Sequence, residues 1–195
     1  MTAGESSARM IEFEQALLYA ARCHRGQVRK GTEIPYIAHP LAVAGLVLEY
    51  GGSSTEAIAG LLHDVVEDCG GAPRQAEIAL RFGPDVAAIV SECTDTDQTP
   101  KPPWRQRKEQ YIAHLDTASR SALLVSACDK LHNARSIVSD LRALGATTWT
   151  KFNGGREGTL WYYQTLVQAF SGRGLTPRLL AALSESVDEM QRLSP

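Results

Sequence analysis

The sequence lacks any apolar run long enough to cross a membrane. No stretch of about 18 consecutive apolar residues occurs, and the first residues, Met-Thr-Ala-Gly-Glu-Ser-Ser, have neither the basic start nor the apolar segment of a secretory signal. A charge excess is also lacking, because 20 Lys and Arg residues oppose 22 Asp and Glu residues, for a net charge of −2. General nucleic-acid binders usually carry a strong basic excess. We therefore expect a cytoplasmic protein with no membrane partner and no stable nucleic-acid partner.

Closely spaced cysteines are absent as well. The four cysteines, Cys23, Cys69, Cys93 and Cys128, include no C-x-x-C pair and no short zinc knuckle. We interpret them as reduced thiols rather than as a disulfide framework. A length of 195 residues with 44% hydrophobic residues allows a sizeable core. At about 100–200 residues per domain, these numbers predict a single domain over residues 1–195.

The chain reads as helical nearly throughout, and no alternating strand pattern of useful length occurs. Apolar residues recur at three- and four-residue steps, which predicts helices over residues 11–23, 40–50, 53–68, 74–82, 85–93, 104–115, 119–144, 159–170 and 177–193. Residues 27–36 read as a loop or one short hairpin, and residues 94–103 as a loop. We predict an all-α fold, a single compact helical bundle.

The most informative segment runs from Leu61 to Asp68. If the helix that begins at the Ser53 capping box continues to Asp68, then His63, Asp64, Glu67 and Asp68 share one face. Three carboxylates without a lysine or arginine repel one another unless a cation, a proton or nearby bases compensate. Gly60 lies on the same face, where it either allows close helix packing or leaves room for an ion or a phosphate.

Further candidate metal ligands lie on other predicted helices. His39 stands between Ala38 and Pro40 at a helix start, and is either a satisfied core histidine or a ligand. Asp129 shares a face of a long helix with Asn133, and a buried aspartate must be paired or bind a cation. Two histidines and two aspartates suit a dication such as Mn²⁺, Fe²⁺, Co²⁺ or Zn²⁺.

Five segments together resemble a known family. They are H-R-G-Q-V-R-K at 24–30, P-Y-I-A-H-P at 35–40, L-L-H-D-V-V-E-D at 61–68, F-G at 82–83 and D-K-L-H-N-A-R at 129–135. In order and approximate spacing they resemble the HD-domain metal-dependent phosphohydrolases and, within them, the hydrolase domain of the RelA/SpoT group. The resemblance covers about residues 10–170.

The resemblance implies a function and a set of site residues. It implies a stand-alone hydrolase of the small alarmone hydrolase type, which removes the 3′-pyrophosphate from ppGpp with one divalent metal ion, Mn²⁺. By the same resemblance, the metal ligands are His39, His63, Asp64 and Asp129, the catalytic acidic pair is Glu67 and Asp68, and the nucleotide contacts are Arg29, Lys30 and Asn133.

Alternatives stay open at this point. The chain could act on another phosphorylated nucleotide, such as the 2′-phosphate of NADPH, or could bind a nucleotide without turnover. A basic group of four residues around Trp104 is either a phosphate clamp or the solvated start of a helix; its members are Lys101, Arg105, Arg107 and Lys108. Residues 161–163, Trp-Tyr-Tyr, either line a base pocket or belong to the core.

Overall fold

Helices make up most of the chain in the computed structural model, which describes residues 3–96 and 100–194 and the side chains of residues 11–96 and 100–194. The chain divides into unit 1, Met1–Asp97, and unit 2, Gln98–Pro195. Unit 1 contains α1 (Ala3–Cys23), α2 (Ala38–Glu49), α3 (Ser54–Leu62), α4 (Val65–Cys69) and α5 (Ala72–Cys93). Unit 2 contains α6 (Trp104–His114), α7 (Arg120–Leu144), a 3-10 helix (Gly145–Lys151), α8 (Gly155–Phe170) and α9 (Pro177–Arg192).

The predicted all-α fold is confirmed. Within residues 3–96 and 100–194 no β-strand forms, and one isolated antiparallel bridge joins Val28 to Pro35. In this segment Arg29 N donates to Ile34 O at 2.8 Å, and Tyr36 N donates to Gln27 O at 2.9 Å, which gives a short hairpin-like turn at the predicted place. None of the described helices is long and apolar enough to span a bilayer. The single domain over residues 1–195 stays a prediction.

The predicted helix over residues 53–68 is wrong in one respect, because it is broken at His63 and Asp64. Helix α3 ends at Leu62, and α4 begins at Val65. In an uninterrupted α-helix the carbonyl of Gly60 would accept a hydrogen bond from the backbone N–H of Asp64. Here the ring Nδ1 of His63 lies 2.8 Å from Gly60 O. A side chain that donates to a backbone carbonyl in this way competes with the backbone hydrogen bonds of the helix. The helix can therefore break here without a proline.

Helices α2 and α3 pack closely at Gly60. A Cβ atom at Gly60 would lie 3.3 Å from the Cα and 3.4 Å from the N of Ala44, which are backbone atoms of α2. Of the two interpretations of Gly60, the structure therefore confirms close helix packing. The start of α3 is fixed by the predicted capping box, in which Ser53 N donates to Glu56 Oε2 at 2.6 Å and Glu56 N donates to Ser53 Oγ at 3.3 Å.

The remaining helix boundaries follow from glycine and from capping side chains. Helix α5 contains Gly83 at φ 87°, a left-handed conformation that favours glycine, so the two helices predicted on either side of it are confirmed. Ser119 caps α7 by accepting from Ala122 N at 3.2 Å. Described residues of the predicted loop over 94–103 contain no helix, and residues 97–99 lie outside the described residues.

Each unit has its own buried apolar side chains. In unit 1 the fully buried ones include Val43, Leu61, Leu62, Val65 and Ile78. In unit 2 they include Leu131, Leu166, Phe170, Leu179, Leu183 and Met190. Burial of such side chains stabilises a fold by about 1.5–3 kcal/mol each. The four cysteines, all within the described residues, form no disulfide.

Candidate metal centre

Two buried histidines of unit 1 are held by neighbouring helices. His39 lies in the first turn of α2 and is 1% exposed, and its backbone N donates to Tyr36 O at 2.9 Å. His63 directly follows the last residue of α3 and is 3% exposed. The ring centroids of the two histidines lie 5.1 Å apart. The core-facing packing of α2 and α3 therefore brings together two imidazoles that are 24 positions apart in the chain.

The hydrogen bond of His63 with Gly60 assigns the ring tautomer. A carbonyl oxygen can only accept a hydrogen bond. The Nδ1 of His63 lies 2.8 Å from Gly60 O and therefore carries the hydrogen. In a neutral ring the lone pair then lies on Nε2. Metal-binding histidines characteristically donate their other ring N–H to a backbone carbonyl or a carboxylate, which fixes the orientation of the ring.

The carboxylate of Asp64 lies against both histidines. Its Oδ2 is 3.0 Å from His63 Nε2 and 3.4 Å from His39 Nε2. Burial raises the pKa of Asp64, but the two imidazoles beside it outweigh burial and hold that pKa well below its usual value. An imidazole lone pair that faces a carboxylate oxygen needs a proton or a cation in between. Two nitrogen donors and one oxygen donor in this arrangement fit a first-row divalent metal.

Tyr36 completes this group, and the sequence reasoning did not single it out. Its hydroxyl donates to Asp64 Oδ2 at 2.7 Å. Its ring packs near two histidine rings, with centroid distances of 4.8 Å to His24 and 5.9 Å to His39. Tyr36 belongs to the P-Y-I-A-H-P segment, but a lone tyrosine in a sequence gives no sign of a partner 28 positions away.

His24 lies beside the same group. Its Nδ1 is 2.7 Å from Gln27 Oε1, and the ring is 3% exposed. Burial disfavours the imidazolium form and so lowers the pKa of His24. His24 is therefore a buried histidine whose charged form is disfavoured.

In unit 2, Asp129 is held by two neighbours on α7. The carboxylate is 6% exposed, and it accepts from Asn133 Nδ2 at 2.5 Å and from Lys130 Nζ at 2.6 Å. The predicted shared face of Asp129 and Asn133 is therefore confirmed. Burial lowers the pKa of Lys130, but the adjacent Asp129 carboxylate outweighs burial and raises that pKa well above its usual value. Lys130 was missed by the sequence reasoning, which considered only residues on the Asp129 face.

The remaining predicted site residues of unit 1 lie in α4 and in the hairpin-like turn. Glu67 is half-buried and Asp68 is exposed, both in the short helix that directly follows His63 and Asp64. Arg29 is half-buried, and its guanidinium carbon lies 5.8 Å from the centroid of the Tyr36 ring. Lys30 is exposed in the same turn.

The basic group of unit 2 contacts aromatic rings of α8. The Arg105 guanidinium lies 3.2 Å from the centroid of the Trp161 ring and also pairs with Glu109 at 2.7 Å. Lys108 Nζ lies 5.1 Å from the centroid of the Tyr162 ring. Tyr162 and Tyr163 are buried, which confirms that at least two of the three aromatic residues over 161–163 belong to the core. These contacts favour a structural role for Arg105 and Lys108 within the unit.

A family model described as "HD domain" matches residues 16–160, which is most of the chain. The chain belongs to the HD domain family. This HD domain is 33% identical over 190 residues to the mouse protein named guanosine-3′,5′-bis(diphosphate) 3′-pyrophosphohydrolase MESH1, and the match covers 95% of this chain and 97% of the mouse protein. The Xenopus tropicalis protein of the same name is 42% identical over 126 residues, or 63% of this chain and 68% of that protein.

Solved structures agree with this assignment. A metazoan ortholog of SpoT that hydrolyses ppGpp matches with a TM-score of 0.76 and 30% identity, over 93% of this chain and 95% of that one. A protein from Listeria monocytogenes matches with a TM-score of 0.67 and 29% identity, over 77% of this chain and 96% of that one. The predicted resemblance to HD-domain phosphohydrolases of the RelA/SpoT group is confirmed. Membership in this group implies a hydrolase that uses a divalent metal.

Proposed function

We propose that this HD domain is a metal-dependent ppGpp 3′-pyrophosphohydrolase. The observation that carries the proposal is the arrangement of Asp64 Oδ2 against the Nε2 atoms of His39 and His63. It occurs in a chain that matches proteins of this activity over nearly its whole length. In the reaction, water attacks the phosphorus bonded to the ribose 3′-oxygen, that P–O bond breaks, and the products are GDP and pyrophosphate.

We propose His39, His63, Asp64 and Asp129 as the metal ligands. His39, His63 and Asp129 are buried side chains of the types that hold divalent ions, and Asp64 contacts both histidines. A set of imidazole and carboxylate donors without thiolate suits Mn²⁺, which we propose as the ion. When bound, a divalent ion screens phosphate charge and lowers the pKa of a coordinated water toward about 7.

Glu67 and Asp68 are proposed to handle protons and water. Both lie on α4, whose first residue directly follows Asp64, so two of the proposed ligands, His63 and Asp64, and the acidic pair lie in one short segment. Glu67 is half-buried and suits proton transfer, either from the attacking water or to the leaving 3′-oxygen. Asp68 is exposed and suits orientation of that water.

Arg29, Lys30 and Asn133 are proposed to contact the nucleotide. Arg29 and Lys30 lie in the turn that immediately precedes Tyr36 and His39, and a guanidinium suits both phosphate binding and stacking on a base. The amide of Asn133 also orients Asp129 through its bond to Oδ1. We propose a small phosphorylated nucleotide in the cytoplasm as the partner, in keeping with four cysteines that form no disulfide and with a sequence that carries no basic excess.

A substrate comparison tests this function. The full chain with Mn²⁺ is given ppGpp, pppGpp, ppApp or NADPH at matched concentrations, and the products are separated by ion-exchange chromatography. We expect the highest kcat/KM for ppGpp or pppGpp, with pyrophosphate as the released product. Release of inorganic phosphate from NADPH at ten times the efficiency of ppGpp turnover would contradict the proposal and favour a nucleotide phosphatase instead.

A further inference from the structure

We propose that Tyr36 is a positioning residue for the metal ligand Asp64. The inference rests on the proposed function for its metal site, and it concerns a residue that the sequence reasoning did not assign. Its basis is the hydrogen bond of 2.7 Å from the Tyr36 hydroxyl to Asp64 Oδ2. This is the same oxygen that lies 3.0 Å from His63 Nε2 and 3.4 Å from His39 Nε2.

The carboxylate of Asp64 can rotate about its terminal torsion unless something holds it. Terminal carboxylate torsions have broad minima, so a free carboxylate samples many orientations. The Tyr36 hydroxyl fixes one of them, in which Oδ2 faces both imidazoles. Hydrogen bonds from groups outside the ligand set characteristically orient metal ligands, and their removal typically weakens metal affinity about 10–100-fold.

The Tyr36 ring is itself held in place, so its hydroxyl is a fixed donor. His24 packs against it at 4.8 Å between centroids with the rings tilted by 33°, and His39 approaches it edge-on at 5.9 Å. The guanidinium carbon of Arg29 lies 5.8 Å from the ring centroid. Tyr36 thus contacts two proposed metal ligands and one proposed nucleotide contact. Replacement by phenylalanine keeps the ring and removes the hydroxyl that donates to Asp64.

The test compares Tyr36→Phe with Tyr19→Phe. Tyr19 is a matched control in the same unit, because its hydroxyl donates to the carboxylate of Glu77 at 2.8 Å, away from the proposed ligands. The dissociation constant of Mn²⁺ is measured by titration calorimetry on the full chain after treatment with a chelator, without nucleotide. We expect Tyr36→Phe to weaken Mn²⁺ binding about 10–100-fold and Tyr19→Phe to leave it within twofold of the wild-type value.

Turnover of ppGpp at rising Mn²⁺ concentration gives a second readout. We expect the kcat of Tyr36→Phe to return to within about threefold of the wild-type value at saturating Mn²⁺, with KM for ppGpp unchanged, since a residue that only orients a ligand is rescued by excess metal. Any of three results would overturn the inference. They are equal Mn²⁺ affinity in Tyr36→Phe and wild type, a kcat of Tyr36→Phe that stays low at saturating Mn²⁺, and no Mn²⁺ binding by the wild type. Mn²⁺ binding is measured without nucleotide, so this inference and the proposed function can fail separately. If Mn²⁺ binding depends on Tyr36 but the protein does not hydrolyse ppGpp, the proposed function is contradicted and the role of Tyr36 is supported.

Discussion

Gly60 offers a sharp test of how packing positions the metal site, because α2 supplies a matched control in Gly45. Gly60→Ala places a Cβ atom 3.3 Å from the Cα of Ala44, whereas Gly45→Ala meets no atom within 4 Å. Neither glycine has a positive φ. Both substitutions gain about 0.5–1 kcal/mol from helix propensity. Only Gly60→Ala also overpacks against backbone, which costs about 1–3 kcal/mol.

The free energy of unfolding is measured by urea titration of the metal-free protein. We expect Gly45→Ala to raise the free energy of unfolding. The free energy of unfolding of Gly60→Ala should be about 1–3 kcal/mol lower than that of Gly45→Ala, because the new Cβ meets backbone atoms of Ala44, which cannot rotate away. The carbonyl of Gly60 also fixes His63 through the 2.8 Å bond to Nδ1. Gly60→Ala should therefore weaken Mn²⁺ binding, and Gly45→Ala should not. Equal stabilisation by both substitutions would refute the packing argument.

Three further predictions concern proton transfer, metal binding and pH. Glu67→Gln should lower kcat by about 10²–10⁴-fold and keep Mn²⁺ affinity, whereas His63→Ala should abolish Mn²⁺ binding; calorimetry and steady-state kinetics measure both. Because burial lowers the pKa of His24 in the folded chain, the His24 imidazole binds a proton more readily in the unfolded chain than in the folded one. The stability of the metal-free protein should therefore fall as the pH drops below about 6.5, and urea titrations at pH 7.5 and pH 5 should show a smaller fall for His24→Gln.

Each of these predictions has a contradicting result. Full turnover by Glu67→Gln would remove this side chain from proton transfer, and tight Mn²⁺ binding by His63→Ala would remove His63 from the ligand set. An identical loss of stability between pH 7.5 and pH 5 in His24→Gln and wild type would show that His24 does not carry the proton linkage.

The helices and the ligand residue types could be predicted from the sequence because both depend on local spacing. The capping box of Ser53 and Glu56, the glycine at position 83 and the i,i+4 pair of Asp129 and Asn133 each involve residues within one or two turns. Such signals survive in a single sequence because the helix period fixes which side chains meet.

Individual side-chain contacts that do not follow the helix period could not be predicted in this way. The break after α3 arises from a bond between a side chain and a backbone carbonyl, and the sequence there contains no proline and no glycine at the break itself. The Tyr36 contact to Asp64 joins positions 28 residues apart, and it depends on how the hairpin-like turn and α3 pack within unit 1. A buried pair such as Asp129 and Lys130 was missed because neighbours in sequence usually point to different faces of a helix.

We propose that this HD domain releases pyrophosphate from ppGpp with a divalent metal. The most direct measurement is pyrophosphate release from ppGpp by the purified full chain with Mn²⁺, with a chelator and an Asp129→Asn protein as controls. We expect stoichiometric GDP and pyrophosphate, loss of release with the chelator, recovery when Mn²⁺ is added back, and strongly reduced release by Asp129→Asn. If calorimetry shows that the wild-type protein binds Mn²⁺ and it still releases no pyrophosphate, the proposed function is wrong.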